Sequence, residues 1–247
     1  MISKSHTKYI QSLQHKKFRD EYNRFIAEGP KAVMDLLDAG NFVCKEIIAV
    51  KEWMDMYKGS FDAPADIVFT EVKDFELEKI SSLSTARDVL AVFEKRPSHA
   101  AIDVRGKISL VLDTIQDPGN MGTIIRIADW FGIEHIICSA GSADIYNSKV
   151  VQATMGSLGR VHVLYTDLPA WLKQNKKVRI YAASLEGAPL HSLGKLTEGI
   201  IVIGNEAHGI SEEVMECVNE KITIPKRGKA ESLNAAVAAG IIVSHLV

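Results

Sequence analysis

The sequence contains few cysteines, and their positions exclude two features that often stabilise a protein. Three cysteines, Cys44, Cys138 and Cys217, are distributed over 247 residues. An odd number of distant cysteines provides no disulfide framework, and no Cys-x-x-Cys pair provides a zinc-binding signature. The eight histidines are scattered as well. We therefore expect a cytoplasmic protein with neither a disulfide nor a metal ion.

Long hydrophobic runs and an excess of one charge are also missing. The most apolar stretch, residues 235–243, is too short to cross a bilayer, and the polar N-terminus has no signal-peptide core. We therefore expect no contact with a membrane. The 29 basic and 31 acidic residues give a net charge of −2. Because this balance does not attract nucleic acid through overall charge, any RNA contact requires a local basic patch.

One segment with such a local charge lies at the N-terminus. Five basic residues precede the first acidic residue, Asp20: Lys4, Lys8, Lys16, Lys17 and Arg19. A run of this kind is typical of an RNA contact and equally of a solvated chain end, and the sequence alone favours neither interpretation.

The glycine-rich fingerprints of nucleotide-binding proteins are absent too. The sequence has no Walker lysine loop, and no Gly-x-Gly-x-x-Gly follows the first C-terminal strand, which disfavours nucleoside triphosphates and dinucleotides. Short apolar runs instead alternate with helical patterns. In the N-terminal part, helical patterns over residues 16–27 and 30–40 and strands at residues 46–50, 66–69 and 89–93 predict a small α/β domain.

The C-terminal part alternates strand and helix more regularly. Apolar runs predict strands at residues 108–113, 133–138, 161–164, 178–182, 200–204 and 221–224. With helices between most of them, this order is typical of a parallel sheet covered on both faces. Residues 96–106, which include Pro97 and Gly106, predict a linker. The predicted domains are therefore residues 1–95 and 107–247.

Unusual polar residues follow three of these strands, at the edge of an open parallel sheet where ligands gather. They lie in residues 113–122, 204–209 and 225–234. In the helix after the first loop, Arg126 lies opposite the apolar stripe. This position is typical of an arginine that binds an anionic ligand and equally of one that is solvated. Trp130 beside it indicates a partner, such as a second subunit. These residues alone predict a doubly wound protein that binds a nucleotide-type ligand, with its reaction unassigned.

At these three loops the sequence resembles the SpoU (TrmH-type) family of RNA 2′-O-ribose methyltransferases, in the SPOUT superfamily. The resemblance lies in three ordered motifs, DPGNMGTIIRIADWFG at residues 117–132, IVIGNEAHGIS at residues 201–211 and ITIPKRGKAESLNAAVA at residues 222–238. The N-terminal part is similar to the family's substrate-binding domain, through RDEYNRFIAEGPKAV and TARDVLAVF.

The resemblance implies a fold and partners that the alternation of elements does not predict. It implies an α/β chain whose C-terminal parallel-sheet SPOUT domain contains a deep trefoil knot, after a small L30e-like N-terminal α/β domain. It also implies S-adenosylmethionine as cofactor, a homodimer in which both subunits contribute to each active site, and a structured RNA substrate, ribosomal rather than transfer RNA.

The resemblance also assigns roles to individual residues. The catalytic and RNA-facing positions correspond to Asn120, Arg126, Glu206, Ser232 and Asn234. The cofactor-contacting positions correspond to Gly204, Ile224 and Leu233, with Ser184 as a further candidate. The chain departs from the family pattern at Ile127, Lys226, Ala235 and Ala236, where a threonine, a methionine and a small polar pair are usual. Because a guanidinium is effectively always protonated, we expect Arg126 to grip a phosphate and polarise the 2′-hydroxyl rather than accept its proton.

Two other functions are compatible with the same fold class. A non-catalytic RNA-binding protein could keep the fold without transferring methyl groups, but the chain has all five polar positions. A nucleotide-utilising α/β enzyme of another class, such as an oxidoreductase, is disfavoured by the missing glycine fingerprint. The sequence therefore favours an RNA methyltransferase.

Overall fold

The computed structural model of the chain describes residues 2–57, 59, 67–83, 85–97 and 102–247. Residue 66 of the second predicted strand and residues 98–101 of the predicted linker lie outside these ranges. The helices are α1 (Lys4–Ser12), α2 (Lys16–Tyr22), α3 (Pro30–Asp38), α4 (Lys51–Tyr57), α5 (Asp74–Ile80), α6 (Pro118–Trp130), α7 (Ser148–Thr154), α8 (Leu168–Gln174), α9 (Glu212–Met215) and α10 (Ala235–Leu246). The strands are β1 (Arg24–Glu28), β2 (Cys44–Ala49), β3 (Val68–Glu71), β4 (Val89–Glu94), β5 (Ile108–Asp113), β6 (His135–Cys138), β7 (His162–Tyr165), β8 (Ile180–Pro189), β9 (Gly199–Gly204) and β10 (Glu220–Thr223).

The chain divides into two compact units. The first comprises Met1–Pro97 and Asp144–Arg160, and the second comprises Ser98–Ala143 and Val161–Val247. The segment Asp144–Arg160 thus packs with N-terminal residues although it follows the first strands of the second unit in sequence. The domain limits predicted from the sequence do not include this return of the chain.

Specific contacts hold this segment in the first unit. Arg19 is only 2% exposed, and its guanidinium donates to the Asp144 carboxylate at 2.7 Å and to the Leu13 and Gln14 carbonyl oxygens. A buried arginine needs such a full set of acceptors, because an unpaired buried charge is costly. The Tyr146 ring packs against that of Phe25, with 4.8 Å between centroids. Arg19, in the N-terminal basic run, is therefore a structural residue.

The first unit contains a four-stranded mixed sheet with the order β1-β4-β2-β3. Strand β4 pairs antiparallel with β1 and β2, and β2 pairs parallel with β3. The helical pattern predicted over residues 16–27 is wrong in its second half. Asn23 adopts a left-handed conformation (φ 52°) that ends α2, and residues 24–28 form β1. An asparagine tolerates this conformation, and the buried run Phe25–Ile26–Ala27 then pairs with β4.

The second unit contains a six-stranded sheet with the order β10-β8-β9-β5-β6-β7, and every pair is parallel. The predicted parallel sheet is therefore confirmed. Its central strands β5 and β9 are buried along nearly their whole length, as strands covered on both faces must be. Strand β8 runs to Pro189, well beyond the predicted residues 178–182. Strand pairing does not define how the chain threads, so the trefoil knot stays a prediction.

Two further sequence expectations concern cysteines and membranes. All three cysteines are free, and burial raises the pKa of the Cys44 thiol to about 12 and raises that of Cys138 as well. No helix within the described ranges is long and apolar enough to span a bilayer.

Candidate functional site

A cavity of about 790 Å³ opens in the second unit at the carboxyl ends of the strands. Its walls are the ends of β8 and β9, the loop after β9, residues 222–235 and the inner face of α10. Apolar side chains, including Ile203 and Ile242, form much of this wall. The volume falls in the range of about 300–1,000 Å³ that is usual for small-molecule sites.

The four residues predicted to hold a cofactor all line this cavity. They are Ser184, Gly204, Ile224 and Leu233, which come from four separate segments of the chain. Two of the predicted catalytic residues, Glu206 and Ser232, also belong to the wall. Two basic residues of the third loop, Lys226 and Arg227, also line the cavity. The structure therefore brings together in space what the sequence separates by up to about fifty residues.

The loop that carries Glu206 is tightly folded. Gly209 and Asn205 exchange both backbone hydrogen bonds, at 2.9 and 2.8 Å. Gly204 precedes this closed turn, and a Cβ at that position would overlap the backbone of Gly209. Only glycine permits so close an approach. Glu206 therefore projects from a loop with a defined shape.

Asn205 fastens the same loop to the end of β5. Its Oδ1 accepts hydrogen bonds from the backbone N–H groups of Ala207 and His208, and its Nδ2 donates to the Thr114 carbonyl oxygen at 2.8 Å. No role was predicted for Asn205 from the sequence. The signal was present, since asparagine beside a tight turn commonly hydrogen-bonds to the backbone two residues on.

A second anchor lies at the end of β5 itself. The Asp113 carboxylate is 4% exposed and accepts hydrogen bonds from the backbone N–H and the hydroxyl of Ser211, at 2.8 and 2.7 Å. Thr114 follows with φ 60° and donates its hydroxyl to Asp113. These bonds hold the start of the first loop against the end of the second. Sequence reasoning placed Asp113 in a loop but assigned it no task.

Three of the five predicted catalytic residues form one directed chain of hydrogen bonds. Asn234 is the N-cap of α10, and its Oδ1 accepts from the backbone N–H groups of Ala236 and Val237. Its Nδ2 donates to Asn120 Oδ1 at 2.8 Å, and Asn120 Nδ2 donates to Glu206 Oε1. The helix amides fix the orientation of Asn234, which in turn fixes that of Asn120. The Glu206 carboxylate therefore receives an N–H donor backed by the positive end of α10.

Asn120 reaches this position because of how α6 begins. Asp117 is the N-cap of α6, and its carboxylate accepts from the Asn120 backbone N–H at 2.8 Å. Pro118 occupies the first turn, where a missing N–H costs nothing. Asn120 thus lies in the first turn of the helix, beside the loop of Glu206.

The structure does not bring Arg126 or Ser232 into this hydrogen-bonded chain. Arg126 lies six residues beyond Asn120, about 9 Å along the helix axis. Its side chain is exposed and forms no hydrogen bond or ion pair with any other described residue. Ser232 is an exposed residue of the cavity wall. Across the described parts of the chain, no group of three or more histidine, cysteine, aspartate or glutamate residues could hold a metal ion.

Two family models match parts of the chain. Residues 107–244 match the model of the SpoU rRNA methylase family, and residues 4–91 match the model of the MRM3-like substrate binding domain. The first match contains all three motifs.

Individual relatives cover the chain almost completely. The 23S rRNA (guanosine(2553)-2′-O)-methyltransferase RlmP of Bacillus subtilis is 30% identical over 96% of this chain and 93% of its own length. Among solved structures, a TrmH-family protein from Porphyromonas gingivalis is 36% identical with a TM-score of 0.88, over 99% of this chain and 97% of its own. An rRNA methyltransferase from Sinorhizobium meliloti, bound to AdoMet, is 28% identical with a TM-score of 0.86, over 98% and 95%. The resemblance inferred from the three motifs is confirmed, and the chain belongs to the SpoU rRNA methylase family.

Proposed function

We propose that the chain transfers a methyl group from S-adenosylmethionine to a ribose 2′-hydroxyl of ribosomal RNA. The observation that carries the proposal is the cavity at the strand ends, with the Asn234–Asn120–Glu206 chain of hydrogen bonds beside it. Membership of the SpoU family supports it, as do the 2′-O-methylation of 23S rRNA named for the B. subtilis relative and the AdoMet bound to the S. meliloti relative.

The cavity suits S-adenosylmethionine in size and chemistry. Its volume matches a ligand of this size, its apolar walls suit an adenine ring, and Gly204, Ile224 and Leu233 line it. The cofactor supplies a methyl group that is already activated on a sulfonium, so the transfer needs no metal ion. We assign cofactor binding to these three residues and to Ser184.

The polar residues then position the RNA. In-line displacement requires alignment of the two reactants, which is where most of the acceleration arises. Glu206, held by Asn120, and Asn234 at the start of α10 orient the ribose, with Ser232 on the cavity wall. The guanidinium of Arg126 holds the adjacent phosphate and polarises the hydroxyl, since it is not able to act as a base.

We further propose a homodimer in which Arg126 serves the partner's site. Trp130 is 84% exposed on α6, and Val237 and Ile241 are 50% and 38% exposed on α10. The two helices lie side by side, because a Cβ added at Gly240 would lie 3.4 Å from Ile127 Cδ1. An exposed apolar face of this kind favours a protein partner, and two-fold dimers are the commonest oligomers. Arg126 projects from the same side of α6 and has no partner among the described residues.

The remaining proposals concern the first unit and the location of the protein. We assign RNA recruitment to residues 1–95, linked through residues 96–106 to a catalytic domain of residues 107–247. The match of residues 4–91 to a substrate binding domain supports this assignment. The three free cysteines suit the cytoplasm, which is reducing.

Tritium transfer from labelled S-adenosylmethionine to ribosomal RNA tests the proposal. The RNA comes from cells with and without the gene, and ribose methylation is mapped on both. We expect transfer only to RNA from cells without the gene, at a nucleotide that is methylated in the other cells. The Arg126→Lys variant should bind the cofactor in calorimetry as well as the wild type but lose at least about tenfold in single-turnover rate, because a lysine lacks the bidentate fork.

Two results would contradict these assignments. Cofactor binding without transfer to any RNA would leave a non-catalytic RNA-binding protein of the same fold. A nearly full single-turnover rate for Arg126→Lys would remove Arg126 from the reaction while leaving the methyltransferase function intact.

A further inference from the structure

The first unit carries a row of aromatic rings on the surface formed by α1 and α2. The rings of His6, Tyr9, Tyr22 and Phe18 follow one another, with centroid distances of 5.8, 5.2 and 6.3 Å. Tyr22 is 43% exposed, and the other three side chains are partly exposed. The methyl-transfer site lies in the other unit and uses none of these residues. We call the four residues the aromatic row.

Positive charge surrounds the aromatic row. Lys17 Nζ lies 5.6 Å from the centre of the Phe18 ring, and Arg24 Nη1 donates to the Tyr9 hydroxyl at 3.0 Å. Between residues 2 and 24 the sequence has six basic residues and two acidic ones, in a chain whose net charge is −2. The local charge is therefore opposite to that of the whole protein.

Two carboxylates near the aromatic row, those of Asp20 and Glu46, already have hydrogen-bonding partners. Lys16 and Lys95 both bind the Asp20 carboxylate, each at 2.6 Å, and these bonds lower its pKa. Glu46, which faces His6 at 3.0 Å, also accepts a hydrogen bond from the Thr70 hydroxyl. A phosphate that approaches the row therefore meets no unpaired carboxylate at these two positions, and it meets two lysines at Asp20.

We propose that the aromatic row binds unpaired bases of the RNA substrate, by stacking on Tyr22 while Lys8 and Lys17 contact phosphates. This inference rests on the proposed function and adds that the recognised part of the RNA is single-stranded. Aromatic rings with basic neighbours stack bases in proteins that bind single strands. Bases inside a duplex are stacked on each other and offer no free face, so the row selects loops, bulges or ends.

A matched control lies elsewhere in the same unit. Phe75 is 48% exposed, and Lys79 Nζ lies 5.0 Å from the centre of its ring. Two exposed acidic residues, Asp74 and Glu78, lie close to it in α5. Phe75 therefore has a ring exposure similar to that of Tyr22 and a lysine beside the ring, as Phe18 has, but acidic neighbours that disfavour a phosphate.

Fluorescence anisotropy with the full chain tests the proposal. The probes are a labelled single-stranded RNA of mixed sequence, about 12 nucleotides long to match usual site sizes, and the corresponding duplex. We expect Tyr22→Leu to weaken binding of the single strand about 5- to 150-fold, the usual range for losing one stacked base. Tyr22→Phe and Phe75→Leu should bind as the wild type does, and binding of the duplex should change by less than about twofold in every variant.

Two outcomes would overturn the aromatic row as an RNA site. One is equal binding of the single strand by Tyr22→Leu and Tyr22→Phe, and the other is an equal loss for single strand and duplex. Tritium transfer to ribosomal RNA is measured on the same proteins. If the wild type transfers methyl groups and one of these two binding outcomes is found, only the aromatic row is contradicted. If the wild type transfers no methyl group, the proposed function is contradicted.

Discussion

Asn120 is the residue through which the three motifs of the second unit meet. It lies in the first turn of α6, in the first motif, accepts a hydrogen bond from Asn234 of the third and donates one to Glu206 of the second. Each amide has only one orientation that satisfies these bonds, because Asn234 Oδ1 is held by the backbone N–H groups of α10. The Asn120 side chain thus links the N-terminus of α10 to the Glu206 carboxylate.

Two replacements of Asn120 distinguish the effect of its hydrogen bond to Glu206 from the effect of an added charge. Asn120→Ala removes a bond to a carboxylate, which is worth about 1.5–3 kcal/mol, so kcat/KM should fall about 10- to 150-fold. Asn120→Asp should be worse at pH 8, because two carboxylates then face each other. In such a pair the pKa of one carboxyl group is raised. Lowering the pH therefore adds a proton, which restores a hydrogen-bond donor. Below about pH 6 the kcat/KM of the aspartate variant should therefore rise relative to that of the alanine variant.

Rate measurements between pH 5.5 and 8 for the two variants check this prediction. Cofactor affinity from calorimetry serves as the control, and it should stay within about threefold of the wild type because Asn120 is outside the cavity wall. Parallel pH profiles for the two variants would show that Asn120 does not face an ionised Glu206.

At the scale of elements, sequence patterns predicted the helices and buried strands well, but they missed strand β1 and the full length of strand β8. The apolar run of β5 was predicted at residues 108–113 and is found there. Residues 24–27 continue a helical pattern and still form a strand, since their burial depends on pairing with β4, about 65 residues later. Strand β8 continues past residue 182 because β10 pairs with it again after a register shift. Such long-range pairing leaves no local signal.

The N-terminus of α10 has a role beyond stability, and a second cap in the same unit provides the comparison. Asn234→Ala should cost about 1 kcal/mol in the free energy of unfolding, as the loss of an N-cap usually does. Asp167 caps α8 by accepting from the Ala170 backbone N–H at 2.8 Å, so Asp167→Ala should cost about the same. Only Asn234→Ala should also lower kcat/KM, by about 10-fold or more, because it releases Asn120.

Denaturant unfolding and methyl-transfer rates on the two variants measure both effects. If Asp167→Ala lost as much activity as Asn234→Ala at equal stability, the effect would come from a weakened fold and not from the hydrogen-bonded chain. Equal rates for Asn234→Ala and the wild type would likewise contradict the positioning role.

At the scale of the whole molecule, the sequence predicted the parallel sheet and the loops that form the cavity, because alternation and strand ends are local features. Four of the nine predicted site residues were assigned to a cofactor, and all four line one cavity. The return of Asp144–Arg160 to the first unit was not predictable from the sequence, because it depends on the contact between Arg19 and the Asp144 carboxylate, 125 residues later in the chain. Arg126 lies outside the hydrogen-bonded chain, and the proposed function assigns its ligands to an RNA and a second subunit.

Mixing two inactive variants tests whether the active site is shared between subunits. Arg126→Gln and Glu206→Gln should each be inactive, but a mixed dimer places one intact arginine opposite one intact glutamate. Random exchange should therefore restore roughly a quarter of the wild-type activity, since a two-fold dimer has two equivalent sites.

Breaking the exposed apolar face provides the complementary measurement. Trp130→Glu combined with Ile241→Glu should give the mass of one chain in sedimentation velocity and abolish the restored activity, because two copies of each charge would meet across a two-fold axis. Met56, which is 66% exposed in the first unit, supplies the control: Met56→Glu should sediment as the wild type does. If the double variant stayed a dimer, the exposed apolar face would not be the subunit interface. If the mixture of inactive variants stayed inactive while both remained dimeric, Arg126 would have to act within its own subunit.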